Sequence, residues 1–315
     1  MVKRLDMMNK LRLKALAGYL VGALMLSYLA LCQNPENQEI TEYPDLRYVA
    51  QALVANDSLQ RLDLYVPSVA SPTPLLIWIG GGAWSYVDRK MEADIARKLA
   101  QQGIAVAAVG HRLSPATWRD PSMSAGVQHP KHVEDVASAV RWLYDHAAEY
   151  GYDTDQFFVG GYSSGGHLAA LLTLDPSYLQ AQGLEMGLFQ GVIPISGAYD
   201  IENYYQAFAE GSRPQMAETH VQAVFGYQEG DLLAASPTHY LQNHEVPMLL
   251  MTDNTVFRYT RLYEDRIREA GITDVQVVYS YEFSHADLWR NMSQAEHSRY
   301  RNILVDFILS QAQLP

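Results

Sequence analysis

Cysteine is almost absent from this chain. Cys32 is the only one in 315 residues, so no intramolecular disulfide can form and the fold must stand on its packed core. Basic residues are scarce relative to acidic ones: 23 Lys and Arg face 35 Asp and Glu, a formal net charge of −12. No stretch gathers them into a basic face, which argues against a nucleic-acid surface, where each phosphate contact needs a cation. Internal repeats and low-complexity segments are also missing, so neither a solenoid nor a disordered linker protein is indicated. What is present is apolar mass. Hydrophobic residues make up 48% of the chain, enough for one large α/β domain or two small ones.

The N-terminus stands apart from the rest. Lys3, Arg4, Lys10, Arg12 and Lys14 precede a nearly uncharged run from Ala15 to Leu31, and a polar stretch from Gln33 to Glu39 follows. A basic front and an apolar middle are the layout of a secretory signal. The run is also close to the shortest that spans a bilayer, about 17 residues. Leu29-Ala30-Leu31-Cys32 is similar to a bacterial lipoprotein cleavage box, with Leu31 where a small residue is usual. Three readings stay open: a lipoprotein signal, an uncleaved anchor, or a buried N-terminal helix.

From Leu59 onward, short apolar runs alternate with helical periodicity. Leu62, Leu64 and Val66 alternate with polar residues as in a half-exposed strand that Pro67 ends. Leu75–Ile79 and Ile104–Val109 are continuous apolar runs of buried parallel-strand length. A helical segment running through Ala100 separates them. Val133, Val136, Ala137, Val140, Leu143, Tyr144 and Ala147 recur at helical spacing. Further strands are expected at Phe157–Val159, Gly191–Ile195, Pro247–Thr252 and Val275–Ser280, with a last helix over Ile303–Leu309. Alternating β and α segments imply one mostly parallel sheet with helices on both faces, and ligands bind beyond the C-terminal ends of such strands.

At one of those ends lies Gly161-Tyr162-Ser163-Ser164-Gly165, a G-x-S-x-G pattern with a strand before it and helix-compatible residues after it. A serine at the tip of a sharp strand-to-helix turn exposes its hydroxyl, while the next residue's N–H points into the same space. A serine hydroxyl needs a base to take its proton, and the base needs an acid to hold its tautomer. Of ten histidines, His285 is the one expected in a loop just after a late strand, downstream of the serine. Asp253 directly follows the strand ending at Thr252, and the order Ser163, Asp253, His285 suits this architecture. Asp200 also ends a strand and reads as a structural loop residue, while Glu282 is a further carboxylate near the histidine in sequence. His129 and His132 straddle Pro130 and Lys131 without a third ligand, so no metal is expected. Gly80-Gly81-Gly82-Ala83-Trp84, after an early strand, can offer backbone N–H groups to a developing oxyanion, each worth roughly 3 kcal/mol. Trp84 and Tyr162 beside the serine would narrow an acyl pocket.

With these residues in place, nearly everything from about Tyr43 to the C-terminus resembles the α/β-hydrolase superfamily. Within it the chain is similar to carboxylesterases related to bacterial feruloyl esterases, kynurenine formamidases and the hormone-sensitive-lipase group. The landmarks are Leu62-Asp63-Leu64-Tyr65-Val66-Pro67, Gly81-Gly82-Ala83-Trp84, His111-Arg112-Leu113-Ser114-Pro115, Arg141-Trp142-Leu143, Gly161 to Leu168, Ser196-Gly197-Ala198-Tyr199-Asp200, Ser236-Pro237 and Ser284-His285. The resemblance makes Ser163 the nucleophile, His285 the base and Asp253 the acid, with the N–H groups of Gly82, Ala83 and Ser164 as the oxyanion hole. Two departures stand out: Gly80 occupies the place of a usual histidine, and the loop before the acid is shortened. The expectation is an α/β-hydrolase domain over residues 38–315 behind a signal, lipoprotein or anchor segment over residues 1–37. Its activity would be hydrolysis of small carboxylic esters without a cofactor, at a bacterial cell envelope to which the N-terminus tethers it. A peptidase or arylformamidase of the same fold, or a catalytically silent binding protein, are the alternatives. The full chain should therefore fractionate with the envelope, and a chain beginning at Gln38 should be soluble and hydrolyse esters. Recovery of that shorter chain only as inactive aggregate would assign residues 1–37 to the fold.

Overall fold

A computed structural model describes residues 38–49, 59–69 and 72–312. The expected signal or anchor segment, with Cys32, lies outside them. Among the described residues no helix is long and apolar enough to cross a membrane.

Eight strands form one sheet: β1 (Ile40–Arg47), β2 (Arg61–Pro67), β3 (Thr73–Ile79), β4 (Ala105–Val109), β5 (Tyr152–Tyr162), β6 (Phe189–Ile195), β7 (Met248–Thr252) and β8 (Val275–Tyr279). Their order is β1-β2-β4-β3-β5-β6-β7-β8. From β4 through β8 neighbouring strands run parallel, while β2 is antiparallel to both β1 and β4. Parallel pairing needs crossovers, and the helices Ala93–Ala100, Lys131–Tyr150 and Ser164–Leu174 supply three of them. The expected mostly parallel sheet with helices on both faces is the fold observed.

Both faces of the sheet are covered, which is why β3 reads as a continuous apolar run. Leu75, Ile77 and Ile79 pack into one core with residues of the helices Lys131–Tyr150 and Ser164–Leu174. Their neighbours Leu76 and Trp78 point the other way, into a second core with the helices Ala93–Ala100 and Arg299–Gln311. Strand β1 carries no such signal. Its partly buried residues Ile40, Tyr43 and Leu46 are three apart: Ile40 packs on the second core, while an irregular pairing with β2 between Tyr43 and Leu46, with Asp45 at φ 57°, brings those two onto the first.

Two features of the loops hold the framework around the strand ends. The Arg112 guanidinium grips the buried Asp135 carboxylate through Nε and Nη2, at 2.8 and 2.6 Å, and Asp135 also accepts the Arg112 N–H. This ties the segment after β4 to the helix Lys131–Tyr150. Glycine governs the contact between the helix Ser164–Leu174 and the sheet. A Cβ on Gly165 would lie 1.9 Å from the Ile79 carbonyl oxygen, and one on Gly161 would lie 2.5 Å from the same atom. Gly165→Ala is expected to destabilise the fold by roughly 3 kcal/mol or more, because backbone must separate from backbone. Gly187→Ala, where a Cβ meets nothing within 4 Å, is the matched control. Equal urea midpoints for the two variants would contradict the contact.

Candidate active site

The C-terminal ends of four adjacent strands each release one polar residue on the same edge of the sheet. Ser163 follows β5, Ser196 follows β6, Asp253 follows β7 and Ser280 follows β8. The alignment is held by backbone bonds from each of three residues to the neighbouring strand: Ser163 N to Ile195 O, Ser196 N to Met251 O and Ser280 N to Thr252 O. Ser163 sits at φ 56°, ψ −118°, a conformation that costs a non-glycine residue on the order of 1–3 kcal/mol and persists only where its surroundings enforce it. Here they do. The helix that starts at Ser164 is buried along its whole length, and Gly81 passes so close that a Cβ on it would be 3.1 Å from Ser163 Cβ.

The structure brings Ser163, His285 and Asp253 together. Ser163 Oγ lies 3.0 Å from His285 Nε2, and His285 Nδ1 lies 2.7 Å from Asp253 Oδ2. Asp253 is fully buried while His285 keeps about a third of its side chain exposed. Asp253 Oδ1 accepts the N–H groups of Thr255 at 2.7 Å and Val256 at 3.2 Å, and the Asp253 N–H donates to Ser196 Oγ at 3.2 Å. Burial alone would raise this carboxyl. Hydrogen bonding by His285 and Ser196, the charge of His285 and the Thr255 N–H outweigh it and hold the group below its ordinary value. A carboxylate beside Nδ1 fixes the imidazole tautomer that leaves Nε2 free to accept the serine proton. His285 is not in a loop as the sequence suggests. It opens the helix His285–Ser293, whose N-cap is Ser284.

The other carboxylates considered from sequence point elsewhere. Asp200 caps the helix Ile201–Ala209 by accepting the Asn203 N–H at 2.9 Å. Glu282 hydrogen-bonds the Tyr300 hydroxyl. His132 bonds Ser114 Oγ at 2.8 Å inside the core, His129 meets the Tyr178 hydroxyl, and among the described residues no group of three or more His, Cys, Asp and Glu is placed to hold a metal.

Several positioning residues escape a sequence reading. The Tyr162 hydroxyl donates to the His285 carbonyl at 2.6 Å, and Thr255 Oγ1 accepts the His285 N–H at 3.1 Å, so backbone as well as side chain places the imidazole. His167 is fully buried and accepts the Trp84 indole N–H at Nδ1, 3.2 Å away; its Nε2 then donates to the Ala235 carbonyl at 2.8 Å. Burial drives its pKa down to about 3, so it stays neutral. That pair anchors the loop after β3, where Ala83 and Trp84 take φ 49° and 56°. The only sequence signal was its position inside the Gly161 to Leu168 landmark. Gly82 N–H donates to Ser164 Oγ at 3.1 Å. The Ala83 and Ser164 N–H groups have no acceptor among the described residues, Ser164 because it heads a helix.

Ser163 and His285 border two cavities. One, of about 370 Å³, is lined by Gly81, Tyr86, Glu92, Arg119, Tyr162 and Trp289 among others. The second, of about 260 Å³, is lined by Ala83, Trp84, Trp118, Tyr204, Phe208 and His220 among others. The aromatic residues named from sequence therefore divide between them.

This architecture and this edge define an α/β-hydrolase. The BD-FAE family model matches residues 62–256, well over half of the chain, and the chain belongs to that family, a carboxylesterase group of the superfamily. It is 29% identical over 171 residues to a probable isoprenylcysteine α-carbonyl methylesterase of Oryza sativa, spanning 52% of this chain and 39% of that one. It is 27% identical over 222 residues to esterase LipQ of Mycobacterium tuberculosis, spanning 68% and 50%. The chain thus spans half or less of the length of these two relatives. Among solved structures, esterase B of Lactobacillus rhamnosis superposes with a TM-score of 0.70 at 19% identity, covering 94% of this chain and 96% of that one.

Glu92, in the wall of the larger cavity, carries the least ordinary protonation of the site. Its side chain is buried, and Oε2 accepts the indole N–H groups of Trp78 at 2.8 Å and Trp289 at 3.3 Å. Burial pushes the carboxyl from 4.5 to about 7 against the lowering by both indoles. A carboxyl whose pKa rises on folding binds more protons in the native state than in the unfolded chain between those values, so its contribution to stability falls as pH rises from 4.5 to about 7. The fall is about 3 kcal/mol at the standard conversion of pKa to free energy. Glu92→Gln removes the titration, and the stability of the native chain relative to this variant should decline over that range in denaturant melts. A pH-independent difference would be incompatible with a protonated Glu92.

Proposed function

We propose that the protein is a serine hydrolase that cleaves carboxylic esters through an acyl-enzyme. The observation that carries the reading is the continuous line Ser163 Oγ, His285 Nε2, His285 Nδ1 and Asp253 Oδ2, with steps of 3.0 and 2.7 Å, at the strand edge where two cavities meet. It is supported by membership of the BD-FAE family and by relatives described as esterases.

The geometry supports each step. His285 Nε2 removes the Ser163 proton as Oγ bonds to the ester carbonyl carbon, and the imidazolium that forms is stabilised by the Asp253 carboxylate. The carbonyl oxygen becomes an oxyanion, for which the N–H groups of Ala83 and Ser164 are available. The Gly82 N–H joins them if the Ser164 hydroxyl lets it go. The carbon–alkoxy bond then breaks, and the alkoxide leaves with the proton from Nε2. Water repeats the sequence on the acyl-serine: His285 takes its proton, the serine ester breaks, and the acid is released. Two cavities meeting at Ser163 give the acyl and alkoxy portions separate places. An N-terminal tether to the cell envelope belongs to this reading, on the basic and apolar pattern of residues 1–37.

Labelling with a fluorophosphonate probe tests the nucleophile: Ser163 should be the modified serine, and Ser163→Ala should lower ester turnover by roughly 10⁵-fold with the fold intact. Asp253→Asn should lower kcat by up to roughly 10⁴-fold, because the wrong tautomer is held. Asp200→Asn should change kcat far less and leave stability nearly unchanged, because asparagine caps a helix about as well as aspartate. Melting temperatures taken alongside separate loss of catalysis from loss of fold. Probe labelling of another serine, or the reverse ranking of the two aspartates, would refute the assignment.

A further inference from the structure

Glu92 is partnered on one side only. Oε2 takes both indole N–H groups, whereas Oε1 has no donor among the described residues. The side chain is 3% exposed, yet it forms part of the wall of the cavity that contains Ser163 and His285. Oε1 faces the cavity, so its hydrogen-bond partner is whatever occupies that space, water or a bound molecule. The neighbouring residue explains how it fits. A Cβ on Gly80 would come within 2.9 Å of Glu92 Oε1, so a side chain at position 80 would displace the Glu92 carboxyl from where it now lies.

Resting on the esterase reading above, we infer that Glu92 is a specificity-determining residue, whose Oε1 hydrogen-bonds a hydroxyl on the part of the ester that occupies the larger cavity. The two indoles fix which oxygen is available. When Glu92 is ionised, Oε1 accepts the substrate hydroxyl; when it is protonated, the proton sits on Oε1, because Oε2 is already accepting, and Oε1 donates. A hydroxyl suits both states, and the bond to the carboxylate is the stronger one. A methyl group in the same place leaves Oε1 unpaired, and a buried site built for a hydroxyl rejects the analogue without it more firmly than an apolar pocket rejects an added hydroxyl. The titratable and charged groups around Glu92 are Asp88 on its own turn, and Tyr86, Arg119, Tyr162 and His285 around the cavity.

The test compares isosteric pairs on the full chain. The 2-hydroxyethyl, 3-hydroxypropyl and 4-hydroxybutyl acetates are set against propyl, butyl and pentyl acetate, and the hydroxyl is then moved to the acyl side in the same way. Both members of a pair react through the same Ser163 and His285, so ionisation there cancels from the ratio of their kcat/KM values. At least one hydroxylated ester should be favoured by about fivefold or more at pH 8, with the ratio falling as pH drops through about 7, where Glu92 gains its proton. In Glu92→Gln the ratio should not vary with pH, and in Glu92→Met the preference should vanish. Ratios near one for every pair, or an unchanged pH-dependent ratio in Glu92→Gln, would overturn the inference. Binding gives a reading without turnover: in Ser163→Ala, titration of the same pairs is followed by indole fluorescence, since Trp78 and Trp289 both hold Glu92. Tighter binding of the hydroxylated member, lost on adding Glu92→Met, supports the role of Glu92 even if no ester is turned over, an outcome that would remove the esterase reading alone. Equal affinities within every pair would refute the role.

Discussion

The backbone of a helix touches the backbone of a strand where Gly165 meets Ile79, and the site is arranged around that contact. With a separation that leaves no room for even one methyl group, the helix Ser164–Leu174 starts as close to the sheet as a polypeptide permits. The chain must turn sharply between β5 and the helix to arrive there, and Ser163 takes the strained conformation at the turn. The helix can enforce this because its whole surface is buried, in a core of Leu168, Ala169, Leu171 and Leu172 against both the sheet and its helical neighbours. Burial of four such side chains contributes several kcal/mol, more than the strain of one residue costs. The same closeness presses Gly81 against Ser163, so the loop after β3 has to present its main chain to the serine.

Electrostatics at the next strand end obeys a similar logic. A carboxylate as buried as Asp253 is expensive unless donors replace the water it lost. Two backbone N–H groups on Oδ1 and the imidazole on Oδ2 do so. The turn after β7 is thus folded around the acid, and Thr255 both donates its N–H to Asp253 and accepts the N–H of His285. Shortening of this loop, visible in the sequence as Asp253 directly after Thr252, leaves the acid one residue beyond the last sheet pair, with its N–H held by Ser196 Oγ. The imidazole is then set from several sides: by Asp253, by Thr255, and by the Tyr162 hydroxyl on its carbonyl.

Strand ends were readable because both faces of the sheet are covered. An apolar run stops where the sheet stops, which is how Asp253 could be picked out after Thr252, while Ser163 was marked by the G-x-S-x-G pattern that follows the run Phe157–Val159. The β-α alternation and the parallel order followed from the same signal. Strand β1 was unreadable, since its partly buried residues divide between the two cores, an irregular pairing puts Tyr43 and Leu46 on one face, and it is an edge strand among the described residues. The helical start at His285 was hidden because its capping residue, Ser284, also suits a loop. Contacts between residues distant in sequence left no trace at all: Trp84 with His167, Tyr162 with the His285 carbonyl, and Trp289 with Glu92. Each joins common residue types over separations that no local periodicity records.

The substitution of glycine for the usual histidine at position 80 shows how the loop after β3 keeps its shape by other means. Here the loop is held from two points, the Trp84 indole on His167 and the Gly82 N–H on Ser164 Oγ, both on the helix that begins beside Ser163. Loop and nucleophile are therefore fixed to one rigid element, and their relative placement does not depend on residue 80. That independence frees the space beside Gly80 for Glu92, whose carboxyl is pinned by indoles from β3 and from the helix of His285. The polar group at this point of the cavity wall thus comes from a segment outside both the helix of Ser164 and the loop after β3, and it is tied to the helix of His285 through Trp289.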